Sequence, residues 1–311
     1  VGRVMGNGAG AVKQGGRMRA VFDIGGSRIR AGRSLAPGGV EAIGVWTTPG
    51  GDYGAFAEVL REGMGADATS MALSIAGVVD PATGRIRVAN IPCLDGRQLG
   101  ADLARDLGVP VVLANDADCF ALAEARSGAG IGHKVVFGVI LGTGVGGGLV
   151  IDGRIHQGAG GVAGEWGHGP VLRGLAPEIA DWQCGCGQAG CLDAFGGARG
   201  MERLDRYLNG GARTSEEVLA AWGAGEDSAG RVVSFWLDQM SAALAMVVNV
   251  IGPSVVPVGG GLANAAALVA ALDGAVRGRI LRDSPKPLVV AAQNRGEPGM
   301  IGASWLEVDN G

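Results

Sequence analysis

Four side chains with the chemistry of metal ligands lie close together in the sequence. Cys184, Cys186 and Cys191 are separated by one and by four residues, and His168 stands sixteen residues before the first of them. The glycines between the cysteines let the chain turn tightly enough for three thiolates to reach one ion. Three Cys and one His are typical of a closed tetrahedral zinc site, which is structural rather than catalytic. The spacing therefore predicts one Zn²⁺ ion here, and the alternative is three cysteines that share no ligand.

Polar residues that could hold a small molecule flank this group. Glu165 lies among glycines, three residues before His168. It is either a surface acid or a ligand for a polyol or amide, because a carboxylate accepts several directional hydrogen bonds. Asp116 follows Asn115 where a predicted buried strand meets a predicted helix. It is either a helix cap or a general base at the carboxyl end of a strand, where open α/β sheets bind ligands. Asn90, before Ile-Pro, is a turn former or a hydroxyl ligand.

Two glycine-rich turns each connect two predicted strands. The first follows Asp23 and contains Gly25 and Gly26, and the second runs from Gly142 to Gly148. Each alone is consistent with a plain hairpin turn. The second leads into another apolar run and is followed by no Lys-Ser/Thr pair, so it is neither a dinucleotide fingerprint nor a Walker loop. Together they predict opposed phosphate clamps of an ATP cleft, with Asp23 facing a metal-bound phosphate. A third run, 259–261, is a helix start or a place where adenosine lies against backbone.

The hydrophobic pattern places these residues on an α/β framework. Strands are predicted at 19–24, 69–75, 109–113, 135–141, 254–258 and 288–292, and helices at 53–63, 99–107, 116–127, 231–251, 263–277 and 300–308. A strand–turn–strand unit occurs at 19–32 and again at 135–151. This weak repeat predicts two related α/β halves that flank a cleft.

The composition narrows the class of protein. The chain has 311 residues, of which 47% are hydrophobic and 18% charged, as in globular proteins. A net charge of −4 supplies no basic surface for nucleic acid. The sequence contains no run of about 18 uninterrupted apolar residues, so it predicts no membrane span. Five cysteines, three of them in one group, fit a reducing cytoplasm better than a disulfide framework. The hydrophobic patterning begins at residue 18, so residues 1–17 are predicted to be a disordered tail or an upstream start that the folded protein does not need.

The motifs occur in an order that resembles the ROK family (repressor, open reading frame, kinase) over about residues 18–308. The segments that carry this resemblance are DIGGS, LANDADCFALAEA, ILGTGVGGGLVIDG, AGEWGH, CGCGQAGCLD and VGGGL. The resemblance implies an actin-like ATPase (ribonuclease H-like) fold of two α/β domains around a cleft. It also implies ATP with Mg²⁺, and phosphorylation of a hexose at the 6-hydroxyl. The domains would comprise 18–116 with a C-terminal helix at about 293–311, and 117–292 with the zinc motif.

Within the family, the sequence is most similar to N-acetylglucosamine kinases. Glucokinases, fructokinases and N-acetylmannosamine kinases are the alternatives among the enzymes. A sugar-sensing repressor relative is the alternative of another class, and it is disfavoured because only 17 glycine-rich residues precede the first strand, too few for a helix-turn-helix domain. The expected partners are a sugar and ATP, with neither nucleic acid nor membrane, and the expected assembly is a cytoplasmic homodimer.

The resemblance also implies roles for individual residues. Asp116 is the general base, and the sugar contacts are Asn90, Asn115, Asp116, Glu165, His168 and Asp193. The nucleotide is held by Asp23, Gly25, Gly26, Ser27, Arg28, Gly142, Thr143, Gly144 and Gly260. The zinc ligands are His168, Cys184, Cys186 and Cys191. The chain departs from the family pattern at Ser27-Arg28, usually Thr-Lys, at Ala76, usually Pro, and at Asp193, usually Glu. The shorter Asp193 withdraws its carboxylate by about 1.5 Å, which weakens the prediction that it touches the sugar.

Overall fold

The computed structural model describes residues 18–294 and 296–307. Its strands are β1 (Arg19–Ile24), β2 (Arg28–Ala36), β3 (Gly39–Thr47), β4 (Ser70–Ile75), β5 (Val78–Val79), β6 (Ile86–Arg87), β7 (Val111–Asn115), β8 (Val135–Leu141), β9 (Val145–Ile151), β10 (Arg154–Ile155), β11 (Val256–Gly259) and β12 (Val289–Ala291). Its helices are α1 (Tyr53–Met64), α2 (Leu99–Leu107), α3 (Asp116–Ser127), α4 (Leu172–Leu175), α5 (Asp193–Gly196), α6 (Ala198–Asn209), α7 (Ser215–Gly223), α8 (Asp227–Ile251), α9 (Ala266–Arg277) and α10 (Pro298–Ser304). The prediction for residues 1–17 lies outside this description.

Two five-stranded sheets form the framework. Their orders are β3-β2-β1-β4-β7 and β10-β9-β8-β11-β12. In each sheet an antiparallel meander of three strands, β1-β2-β3 or β8-β9-β10, is continued by two parallel strands. The sheets therefore repeat one topology, as the strand–turn–strand repeat in the sequence predicted. Parallel strands point their carboxyl ends to the same edge, so each sheet gathers its polar loops at one place.

Each sheet has its own hydrophobic core. The first core surrounds Phe22, Phe56 and Leu60, where α1 covers the sheet. The second contains Trp236 and Met240 of α8, which lie fully buried against the second sheet and its helices. Among the described helices, only α8 has the length and apolar composition to cross a membrane. Its buried face identifies it as the central helix of this core.

The chain returns to the first sheet at its end. α10 contacts α3, β1 and β4, and a small core forms there from Val21, Ala72, Ala114, Cys119, Met300 and Ala303. α3 and α10 meet backbone to backbone, because a Cβ on Gly302 would lie 1.8 Å from the carbonyl oxygen of Cys119. We propose, as the sequence suggested, that residues 18–116 with the C-terminal helix form one domain and residues 117–292 the other.

Several element ends differ from the predictions, with identifiable reasons. β7 begins at Val111 rather than 109, since Pro110 has no N–H to donate to the sheet. α9 begins at Ala266 because residues 261–264 form a 3₁₀ turn. α10 begins at Pro298, a favoured first helical residue, and ends at Ser304 rather than 308. The last predicted position of that helix falls outside the described residues.

Candidate active site

Asp116 stands at the junction of β7 and α3. The side-chain oxygen of Asn115 caps α3 by accepting hydrogen bonds from the backbone N–H groups of Ala117 (2.8 Å) and Asp118 (3.3 Å). Asn115 Nδ2 donates to the carbonyl oxygen of Gly77 at 3.1 Å. Within residues 18–294 and 296–307, Asp116 accepts one hydrogen bond, from the Ala117 N–H at 2.9 Å. The helix is therefore capped by Asn115, and most of the hydrogen-bonding capacity of the Asp116 carboxylate stays available.

A cavity of about 490 Å³ opens beside Asp116, and we call it the first cavity. It is lined by all six residues that the resemblance assigned to the sugar: Asn90, Asn115, Asp116, Glu165, His168 and Asp193. Gly142, Thr143 and Gly144 of the second glycine turn line it too. Residues from five separate parts of the chain thus converge on one space. The side-chain amide of Asn115 lines the cavity, but its oxygen and its nitrogen both already form hydrogen bonds with backbone groups.

A second cavity of about 450 Å³ also borders Asp116. Of the predicted nucleotide residues, Asp23 and Gly260 line it. Asp116 and Ile140 line both cavities, so the two spaces adjoin at the candidate base. Gly25, Gly26, Ser27 and Arg28 line neither. The Gly25 N–H donates to the Arg28 carbonyl at 2.9 Å, so these four residues close a hairpin turn beside the cleft.

The first glycine turn lies against a predicted sugar residue. A Cβ on Gly26 would lie 2.7 Å from the Cβ of Asn90. A larger residue at position 26 would therefore displace Asn90 from the first cavity. Glycine here permits a close approach between two chain segments rather than an unusual backbone angle.

Sequence reasoning missed Arg30, a cation in the second cavity. Its Nη1 lies 3.3 Å from Asp23 Oδ2, and its Nε lies 3.6 Å from Glu297 Oε2. Asp23 and Arg30 are register partners across β1 and β2. The signal that could have found this pair is strand alternation, because residues opposite each other in an antiparallel pair present their side chains on the same face.

Burial and neighbouring charges shift the pKa values of two carboxyl groups in the site. Burial raises the pKa of Asp116 to about 6, and the negative charges of Asp23 and Glu165 add to the effect. Burial also raises the pKa of Glu165, while nearby His168 opposes that shift. A carboxylate with a pKa close to the working pH is suited to accept a proton and to release it again.

The four predicted zinc ligands converge. The ligand atoms of His168, Cys184, Cys186 and Cys191 all lie within 4.8 Å of one another. Nδ1 of His168 is 3.6 Å from Cys184 Sγ, and the sulfurs of Cys186 and Cys191 are also 3.6 Å apart. Such separations suit ligands placed roughly 2.0–2.3 Å from one tetrahedral Zn²⁺ ion. The donor set and its spacing therefore fit a closed zinc site.

His168 connects this cluster to the first cavity. Its Nε2, the ring nitrogen directed away from Cys184, lies 3.5 Å from Glu165 Oε2. Such a second interaction fixes the orientation of a metal-ligating imidazole. A metal bound by the cluster would thereby hold Glu165 in place as well.

The carboxylate of Asp193 accepts a backbone hydrogen bond that the sequence did not predict. Its Oδ1 accepts a hydrogen bond from the Val145 N–H at 2.8 Å, and its Oδ2 lies 3.4 Å from Cys184 Sγ. A Cβ on Gly144 would lie 2.1 Å from Asp193 Oδ1. Asp193 therefore connects the second glycine turn to the cysteine cluster, while it also lines the first cavity.

Comparison with known proteins adds independent evidence. Residues 58–310 match the family model described as ROK family. N-acetyl-D-glucosamine kinase of Pasteurella multocida (strain Pm70) is 37% identical over 242 residues, covering 76% of this chain and 80% of the relative. The enzyme of that name from Salmonella paratyphi A is 33% identical over 298 residues, covering 92% of this chain and 98% of the relative.

Solved structures agree with these relatives. A ROK hexokinase from Thermus thermophilus superposes with a TM-score of 0.79 at 32% identity, covering 92% of this chain and 96% of the other. A ROK family glucokinase from Streptomyces griseus, in complex with glucose and AMPPNP, gives a TM-score of 0.74 at 26% identity, covering 92% of this chain and 98% of the other. The predicted actin-like ATPase fold of two α/β domains is confirmed, and the chain belongs to the ROK family.

Proposed function

We propose that this chain is an ATP-dependent sugar kinase that phosphorylates the 6-hydroxyl of N-acetyl-D-glucosamine. The observation that carries the proposal is the position of Asp116, whose carboxylate faces two adjoining cavities. One is lined by amide, carboxylate and imidazole groups suited to a polyol. The other is lined by Asp23, Arg30 and the backbone of Gly260. A base between a sugar site and a nucleotide site is the arrangement that phosphoryl transfer requires.

The reaction follows from this placement. The 6-hydroxyl lies beside Asp116, which accepts its proton as the oxygen attacks the γ-phosphorus of ATP. An O–P bond to the sugar forms while the bond from the γ-phosphorus to the bridging oxygen breaks, and ADP leaves. Glu165 and His168 hold hydroxyl groups of the ring and orient the attacking oxygen. Because phosphoryl transfer needs little covalent help from the protein, positioning and charge neutralisation supply most of the rate.

Two metal ions belong to the proposal. Mg²⁺ neutralises the phosphates when it is bound with ATP, and Asp23 would face it. Zn²⁺ would be held by His168, Cys184, Cys186 and Cys191 and would stabilise the loop that carries Glu165. Because all four coordination positions are filled by protein, this ion would leave none open for a substrate. Asp116 therefore remains the group that handles the proton.

The choice of sugar is supported by the relatives. Two proteins that are 37% and 33% identical to this chain are named N-acetyl-D-glucosamine kinases. Glucokinase, fructokinase and N-acetylmannosamine kinase activities are the alternatives within the family. The cytoplasmic location and the homodimer stay predictions.

The proposal is tested by ADP release in a coupled assay. The wild-type protein is given N-acetylglucosamine, N-acetylmannosamine, glucose and fructose, and N-acetylglucosamine should show the highest kcat/KM. N-acetyl-6-deoxyglucosamine should bind competitively without releasing ADP, because it lacks the attacking oxygen. The matched variant Asp116→Asn should bind the sugar and lose turnover. Sugar binding by the wild type without ADP release from any hexose would instead identify a sugar-sensing binding protein.

A further inference from the structure

Asp118 is a buried acid that the reaction scheme above does not use. It lies on α3, two residues after Asp116, and only 3% of its surface is exposed. Its Oδ1 is enclosed, and within the described part of the chain that oxygen receives no hydrogen bond. An ionised carboxylate in such a place lacks a donor for one oxygen and loses its hydration, which is costly.

Close backbone contacts place Asp118 next to the sugar-binding acids. A Cβ on Gly148 of β9 would lie 2.8 Å from the Asp118 Cα. A Cβ on Gly164 would lie 3.1 Å from the Gly148 Cα, and Glu165 follows Gly164 directly. The three backbones are therefore stacked without intervening side chains. This stacking brings the first turn of α3 within a short distance of Glu165.

In the part of the chain that the structure describes, the charges that face Asp118 are all negative. They belong to Glu165 on the neighbouring loop and to Asp116 on α3 itself. The strands β4, β7, β8 and β9 and the helix α10, which pack around α3, contain no titratable side chain. β10 contributes Arg154, whose side chain is 77% exposed and pairs with Glu307. No described cation thus offsets a charge on Asp118.

We propose that Asp118 is a positioning residue whose working form is the neutral carboxylic acid. As an acid it is a hydrogen-bond donor to a buried water that bridges toward Glu165 and Asp116. It thereby holds these two carboxylates at the separation that a sugar requires. This inference rests on the proposed function, since Asp116 and Glu165 are the groups that it positions.

The proton is retained at neutral pH. Burial raises the pKa of Asp118 to about 8, and the charges of Glu165 and then Asp116 contribute to this shift. Above this pH a third negative charge would enter the cluster, repel Asp116 and Glu165 and remove the donor. Sugar binding should therefore weaken in alkaline solution while the fold persists.

The test compares Asp118→Asn with Asp118→Leu. Asparagine keeps the shape and a donor but has no proton to lose, whereas leucine has no donor. Wild-type kcat/KM for N-acetylglucosamine should fall by up to about tenfold per pH unit above pH 8, as expected for one essential protonated group. Asp118→Asn should match the wild type within about twofold at pH 7, as a retained donor implies, and should lose this alkaline fall. Asp118→Leu should raise KM at pH 7 more than it lowers kcat.

A second readout does not depend on turnover. Between about pH 4 and pH 8 the folded protein keeps a proton on Asp118 that the unfolded chain releases. The unfolding constant of the wild type should therefore rise relative to that of Asp118→Asn by up to about tenfold per pH unit in this window. The constants come from urea unfolding at pH 5, 6, 7 and 8.

The outcomes separate the two proposals. Absence of phosphorylation by the wild type would reject the kinase function, while the unfolding comparison would still report whether Asp118 keeps its proton. Parallel pH dependence of wild type and Asp118→Asn, in either kcat/KM or unfolding, would overturn the inference. An Asp118→Asn variant that folds but loses sugar binding at pH 7 would overturn it too.

Discussion

Acidification of the wild-type enzyme should lower its activity through Asp116. The pKa of this carboxyl is raised to about 6, first by burial and then by the charges of Asp23 and Glu165. A general base acts in its ionised form, so roughly nine-tenths of the sites are competent at pH 7 and roughly one-tenth at pH 5. The resulting kcat/KM for the sugar should fall about tenfold between these values. Circular dichroism at each pH shows whether the fold persists.

Two variants test whether Asp116 causes this fall of kcat/KM at low pH, which we call the acid limb of the pH profile. Asp116→Asn should lower kcat by about 10²–10⁴-fold, the usual contribution of a general base, and its residual activity should no longer depend on pH near 6. Glu165→Gln removes one of the charges that raise the pKa of Asp116, so its acid limb should move to lower pH. Glu62→Gln, an exposed position on α1, is the matched control and should leave the profile unchanged. An acid limb that persists unaltered in Asp116→Asn would refute the assignment of the base.

Two further predictions concern the supports of the site. One Zn²⁺ per chain should co-purify, as measured by elemental analysis. Removal of this ion by a chelator should lower Tm, because a closed zinc site stabilises the fold directly. Metal-free protein with an unchanged Tm would reject the zinc site. Gly148→Ala should cost about 1–3 kcal/mol in urea unfolding, because its Cβ would lie 2.5 Å from the Ala117 carbonyl oxygen. The control Gly230→Ala, inside α8 with no atom within 4 Å of the new Cβ, should gain about 0.5–1 kcal/mol, and equal losses in both would contradict this reasoning.

The sequence predicted most of the framework and the convergence of the sugar residues. β8 and α3 have the predicted ends, since continuous apolar runs and glycine turns mark them. The six predicted sugar residues line one cavity, and of these Asn115 and Asp116 lie at the carboxyl end of the parallel strand β7, where open α/β sheets bind ligands. The order of motifs identified the family before any geometry was known.

Other features depended on choices that local pattern leaves open. Asn and Asp are equally good helix caps, so the sequence did not decide which of Asn115 and Asp116 caps α3. The Asp23–Arg30 pair depends on strand register, which the first strand alone does not determine. Asp118 lies on a helix that is buried on most of its sides, so no amphipathic pattern separated its inward positions from its outward ones. Among the described residues, the lack of a hydrogen-bond donor near its Oδ1 results from tertiary packing. The preferences of single residues do not predict such packing.

The return of α10 to the first sheet has a consequence for synthesis. Val21, Ala72 and Ala114 share a small core with Met300 and Ala303, so the ribosome makes the first half of that core long before the second. Domains generally fold in the order in which they emerge, yet this part of the first sheet exposes apolar surface until α10 has left the ribosome exit tunnel. We expect nascent chains that stop before Pro298 to bind chaperones, and the first domain to reach full protease resistance only after α10 is released.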